Sequence, residues 1–159
     1  MFTTPHCHRV DGHVASTRPL SYLGTLIDGI RVEFCKGRIV GAQAATGEPV
    51  LRKLLETDEG ASRLGEVALV PHSSLVSKTG LLFYNTLFDE NAASHIALGQ
   101  ALRRALTNGR DMSSSELTAA GANKSMIHVD WMIGSEETDV DGIPISGPPI
   151  PLMRRGEWV

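Results

Sequence analysis

Nine residues in the last third of the chain, Ser125-Met126-Ile127-His128-Val129-Asp130-Trp131-Met132-Ile133, constrain the fold more than any other stretch. Successive side chains on a strand point to opposite faces. Ile127, Val129, Trp131 and Ile133 therefore share one apolar face, which demands a core to cover it. His128 and Asp130 share the opposite face, flanked by Met126 and Met132. A His and a carboxylate two apart on one strand face aim their donor atoms into the same space. That suits a metal site of nitrogen and oxygen ligands. Taken alone, the pair is read most simply as a His–Asp hydrogen bond on a half-exposed sheet.

Other segments supply the partners such a strand needs. Ile30, Val32 and Phe34 alternate with Arg31, Glu33 and Cys35, and Lys36-Gly37 leads into Arg38-Ile39-Val40-Gly41-Ala42, a hairpin over 30–43. Over 48–64 the period changes: Val50, Leu51, Leu54 and Leu55 fall at helical spacing, Pro49 suits a first turn, and Gly65 suits the residue past a helix end. Glu66–Val70 and Leu81–Leu87 read as strands, and Asp89 to about Leu106 as a second helix ended by Asn108-Gly109. Residues 1–24 read as loops with room for one short strand, and Asp139-Val140-Asp141-Gly142 as a turn. The sum is an α+β fold, a single domain over 1–159 with a largely antiparallel sheet and two main helices.

Composition narrows the function classes. A hydrophobic share of 42% is enough for a core, and a net charge of -3 leaves no basic excess for a nucleic-acid partner. No apolar run reaches the roughly 20 residues of a membrane span, so no membrane partner is expected. The first residues lack the apolar centre of a secretory leader, and two cysteines, Cys7 and Cys35, make no disulfide framework. A cytoplasmic setting is the expectation.

Further candidate ligands are individually weak. His95 lies about two turns into the expected second helix, where a lone His is more often a satisfied polar group. Glu66 precedes a nearly continuous apolar run, so its carboxylate needs a partner, either a metal or an arginine such as Arg63. Asp89 or Glu90 is read most simply as an N-terminal helix cap or dipole partner. His6-Cys7-His8 crowds three ligand types into three residues, too close to reach one tetrahedral ion comfortably. Asp139-Val140-Asp141-Gly142 lacks the later oxygen ligands of a calcium loop.

Together the segments resemble a known family. Phe2-Thr3-Thr4-Pro5, Ser16-Thr17-Arg18-Pro19-Leu20-Ser21-Tyr22, Glu56-Thr57-Asp58-Glu59-Gly60, Leu64-Gly65-Glu66-Val67-Ala68-Leu69-Val70-Pro71, Phe83-Tyr84-Asn85-Thr86-Leu87-Phe88-Asp89-Glu90-Asn91 and His128-Val129-Asp130 carry the resemblance, in order, from Phe2 to Trp158. It is to the M29 metallo-aminopeptidases, the thermophilic aminopeptidase group. The resemblance implies the C-terminal part of that catalytic domain, with two divalent metal ions per site. Glu66, His95, His128 and Asp130 stand at four of the family's ligand positions. Cobalt, zinc, manganese and magnesium are all compatible with nitrogen and oxygen ligands. It also implies peptide substrates with a free N-terminus, whose α-amine one metal can take, and a possible homodimer.

The chain departs from the pattern in two residues. The family's further glutamate ligand would fall just before Met1, and Leu102 stands where the family has a tyrosine. On the expected helix position 102 is seven residues from His95, almost two turns, and so on the same face. A tyrosine there could stabilise an oxyanion, and losing one such donor typically costs roughly 10²–10³ in rate. The family's N-terminal domain is also absent from this sequence. The expectation is one competent metal position with little or no peptidase activity alone, the alternative being a non-catalytic remnant that binds metal or dimerises.

Overall fold

The structure is a computed structural model describing residues 1–159. In chain order it contains β1 (Phe2–Thr3), β2 (Gly12–Ala15), β3 (Leu20–Tyr22), β4 (Thr25–Ile27), β5 (Arg31–Cys35), β6 (Arg38–Gln43), α1 (Glu48–Leu55) and β7 (Leu64–Ala68). There follow α2 (Leu75–Thr79), α3 (Thr86–Asp89), a 3-10 turn (Glu90–Ala92), β8 (His95–Gly99), a second 3-10 turn (Arg103–Ala105), α4 (Ser114–Ala119), β9 (His128–Met132), β10 (Val140–Gly142), β11 (Ile150–Arg154) and β12 (Glu157–Trp158). The α+β class and the antiparallel character expected from the sequence both hold.

The main sheet has the order β1-β7-β8-β9. One of its faces is covered by apolar side chains from the β2-β5-β6 sheet, the β3–β4 hairpin and α1. Leu64, Ile96, Leu98, Val129 and Trp131 meet Leu20, Ile27, Ile30, Val32, Phe34, Leu51 and Leu54 there, and Ile127 and Ile133 pack against them. The apolar face read from the 125–133 alternation is thus the core face. Hairpin β5–β6 turns at Lys36-Gly37, both with positive φ, as its sequence implies. In α1, Pro49 occupies the first turn, the Arg52 guanidinium pairs with Glu48 one turn back, and Leu51 and Leu54 face inward.

Several expectations are overturned. The first helix ends at Leu55, well short of 64, and Gly65 lies inside β7. Residues 81–87 are not a strand: the segment is largely irregular, Tyr84 has φ 57°, and Leu81, Tyr84 and Leu87 are exposed. No strand of the sheets pairs with it. The second long helix does not exist. The short α3 and a 3-10 turn are followed by β8, an interior strand all of whose residues are buried. Burial on both faces removes the period-2 signal, and its alanines and leucine fit a helical stripe equally well. The N-terminal 24 residues hold three strands rather than one. Asp139–Gly142 contributes β10, with Asp141 paired to Arg154, instead of a plain turn.

A bulge decides which face Glu66 takes. Leu64 pairs with Leu98 and Glu66 with Ala97, so β7 carries one residue more than β8 over this step. Without it Leu64 and Glu66, two apart, would share a face. The extra residue is Gly65, where an added Cβ would lie 2.2 Å from the Gln100 carbonyl oxygen. Only glycine allows that approach, and its effect is to send Leu64 into the core and Glu66 to the opposite side.

Candidate metal centre

The face of the main sheet turned away from the core carries the chemistry. Cross-strand register places Glu66, Ala97 and Asp130 in one row, Ala68, His95 and Met132 in the next, and Gly99 beside His128. The small Ala97 and Gly99 leave the space that the charged side chains on either side converge into. Glu66, His95 and Asp130 are buried, and His128 is exposed at the open side.

Glu90, read from the sequence as a cap, arrives from outside the sheet. The Asp89 carboxylate accepts hydrogen bonds from the N–H groups of Phe83 and Asn85 at 2.7 and 3.0 Å, which folds the 83–89 loop back on itself. Asn85 caps α3. With those duties taken, Glu90 is free to point over the sheet. Its only sequence signal was the acidic pair Asp89-Glu90, which a loop with two roles for two carboxylates explains better than a cap.

Two triads of donor atoms result. Glu66, His128 and Asp130 bring one ligand atom each within 4.8 Å of one another, and Glu90, His95 and Asp130 do the same. Asp130 belongs to both. The expected alternative partner of Glu66, Arg63, instead donates to the Cys7 carbonyl at 3.0 Å. His6, Cys7 and His8 join no such cluster. Leu102 lines the same cleft of about 390 Å³ as the five donors, although it follows β8 in an extended segment and not on a helix. Its N–H donates to the Thr4 hydroxyl, which donates in turn to its carbonyl.

Three observations fit this donor set to a divalent cation. His95 Nδ1 lies 3.1 Å from the Ala93 carbonyl oxygen, and His128 Nδ1 lies 2.7 Å from that of Gln100. A carbonyl only accepts, so each Nδ1 carries the hydrogen, and the rings are held with Nε2 free for the cleft. The buried Asp130 Oδ1 accepts no hydrogen bond. The crowded carboxylates also shift their titratable neighbours toward the protonated forms. His128 Nε2 sits 3.3 Å from Glu66 and 3.5 Å from Asp130, and those carboxylates, Asp130 foremost, push the imidazole up to about 10. Burial, then the charges of Asp130 and Glu66, raise the Glu90 carboxyl to about 7.

A set of nitrogen and oxygen donors converging on one sheet face has the chemistry of a divalent-metal site. The sequence pattern of the thermophilic metalloprotease (M29) family matches residues 1–158. The chain belongs to that family. Aminopeptidase T of Thermus thermophilus is 57% identical over 159 residues, covering 100% of this chain and 38% of that protein. Aminopeptidase 2 of Geobacillus stearothermophilus is 50% identical over 158 residues, with the same 38% of its length covered. The structure of wild-type AmpT from Thermus thermophilus superposes with a TM-score of 0.93 at 56% identity, covering 99% of this chain and 38% of that one. The chain thus spans less than two fifths of the length of the curated relatives it matches. No helix is long and apolar enough to cross a membrane.

Proposed function

We propose that this chain supplies the metal-binding part of a metal-dependent aminopeptidase, with Glu66, Glu90, His95, His128 and Asp130 holding two divalent ions. The convergence of two donor triads on one shared carboxylate, Asp130, carries the reading. Asp130, common to both triads, would help to hold an ion in either position. Glu66 and His128 complete one position, Glu90 and His95 the other. When bound, divalent ions supply Lewis acidity, polarising a scissile carbonyl and acidifying water. The residues do the rest. The backbone carbonyls of Ala93 and Gln100 fix the imidazole tautomers. Glu66, Glu90 and Asp130 supply the negative charge that would offset bound divalent ions. The sheet beneath keeps the donors in place before any ligand arrives.

Leu102 favours a second reading, a non-catalytic metal-binding or dimerising remnant. An apolar side chain lines the cleft where a hydroxyl donor would serve a developing oxyanion. Metal content by native mass spectrometry, with hydrolysis of leucine p-nitroanilide in added Co²⁺ or Zn²⁺, separates the two. Binding of divalent ions that His128→Ala abolishes is expected, with slow turnover that disappears in the same variant. Metal binding with no turnover under any loading would leave the remnant reading standing, and no metal binding would remove both.

A further inference from the structure

Among the residues lining the cleft that holds the five donors, Arg104 is the one arginine or lysine. Resting on the reading just given, we infer that Arg104 binds the C-terminal carboxylate of a short peptide, making di- and tripeptides with a free carboxylate the preferred ligands.

Arg104 is positioned and unspent. Its guanidinium lies over the Phe2 ring, 5.0 Å from the centroid, in a cation–π contact that sets its place at the cleft. None of the protein's ion pairs includes it, although Glu66, Glu90 and Asp130 line the same cleft. Nor does its side chain donate to any carbonyl, unlike Arg103, whose guanidinium bonds the Met112 carbonyl. An exposed arginine stacked on an aromatic ring keeps its N–H edges free, and those edges match a carboxylate.

The spacing matches a short peptide. Phe2 is on the edge strand β1, paired with Ala68, and the donors are spread over β7, β8 and β9. Strands lie about 4.8 Å apart, so the β8 row at the centre of the donors is roughly 10 Å from β1. An extended chain spans at most about 3.5 Å per residue, which puts the charged ends of a di- or tripeptide roughly 7–10 Å apart. On that spacing, a short peptide can reach from the acidic and metal-binding groups, which would meet its amino end, to the guanidinium over Phe2, which would meet its carboxylate. Met1, Phe2, Leu87 and Leu102 add apolar side chains to the lining of the same cleft.

The test compares Leu-Gly with Leu-glycinamide, which differ only in that terminal charge, binding to the zinc-loaded chain by calorimetry. Roughly tenfold tighter binding of Leu-Gly is expected, the preference vanishing in Arg104→Gln and returning only in part in Arg104→Lys, which keeps the charge but not the planar fork. A ligand carboxylate captured by the zinc itself would give the same preference in wild type but keep it in Arg104→Gln, overturning the inference and leaving the metal site intact. Equal affinity for the two ligands in wild type also overturns it. Zinc binding with no affinity for either peptide would sink this inference and the peptidase reading together. Circular dichroism of each variant, unchanged from wild type, excludes a folding defect, since Arg104 is exposed and contributes no buried contact.

Discussion

His128 carries a proton in the metal-free chain because two carboxylates face its Nε2, and a metal ion needs that same lone pair. Its acidity constant near 10 in the folded state means that the pairing stabilises the chain fully below the ordinary histidine value, about 6.5, and fades as pH climbs through 10. Glu90, raised to about 7, holds a share of a second proton at neutral pH. Metal uptake at pH 7 should therefore release more than one proton, and metal affinity should strengthen as pH rises from 6 to 8. Calorimetric titration of Zn²⁺ in buffers of different ionisation enthalpy measures the count directly. An apparent enthalpy that is the same in every buffer would contradict it. Glu90→Gln should lower the count, and His128→Ala should lower it further.

At the scale of elements, the bulge in β7 is what turns a predictable strand into a site strand. Gly65→Ala forces the Gln100 carbonyl away or removes the bulge. Either outcome misdirects Glu66, so the variant should lose several kcal/mol, about 2–4, as overpacking against backbone does, and should bind metal poorly. Chemical denaturation and metal titration on one sample check both. A second device fixes the approach to β9. The Asp58 carboxylate accepts hydrogen bonds from the N–H groups of Met126, Gly60 and Ala61 and from the Ser125 hydroxyl, tying the loop before β7 to the residues just ahead of His128. The Met126 bond does most to hold this carboxyl below its ordinary range. Its contribution is then present above about pH 4 and is lost as pH falls through the lower folded value. Asp58→Asn should cost about 1–2 kcal/mol at pH 7, reduced by solvent exposure, and the gap from wild type should close in acid. A gap that stayed constant from pH 7 to pH 2.5 would rule this out.

These elements also show what the chain's letters reveal and what they conceal. His128 and Asp130 were legible because β9 has one wet face, so alternation marks both the core and the donors. Glu66 was legible as a buried carboxylate in need of a partner, but its direction depends on a bulge that no periodicity announces. His95 was singled out only weakly, as a lone His, and placed on the wrong element, because an interior strand buried on both faces carries no alternation. Glu90 was concealed by its neighbour: either acid could cap a helix, and only the folded loop shows Asp89 taking the backbone N–H groups. Leu102 lies at the cleft by following a strand and not by sharing a helix face with His95.

For the whole molecule, the decisive fact is that the five donors come from four separate segments: β7, the 3-10 turn after α3, β8 and β9. They lie up to 64 residues apart, from Glu66 to Asp130, and an unfolded chain cannot keep them together. Divalent ions that occupy this site bind the folded state alone, so their binding energy is added to folding stability. At an ion concentration 100 times the dissociation constant, one site contributes about 2.7 kcal/mol. For a chain of 159 residues each kcal/mol raises the midpoint by roughly 2–4 °C, which gives a rise of about 5–10 °C on loading. Excess EDTA should reverse it, and Asp130→Asn should remove it almost entirely, since the shared carboxylate serves both triads. Glu66→Gln and Glu90→Gln, each touching one triad, should each remove part. Thermal unfolding with and without Zn²⁺ reads all three variants. If the Asp130 variant kept the full shift, the ion would be binding elsewhere, and the sheet face would lose its claim to the site.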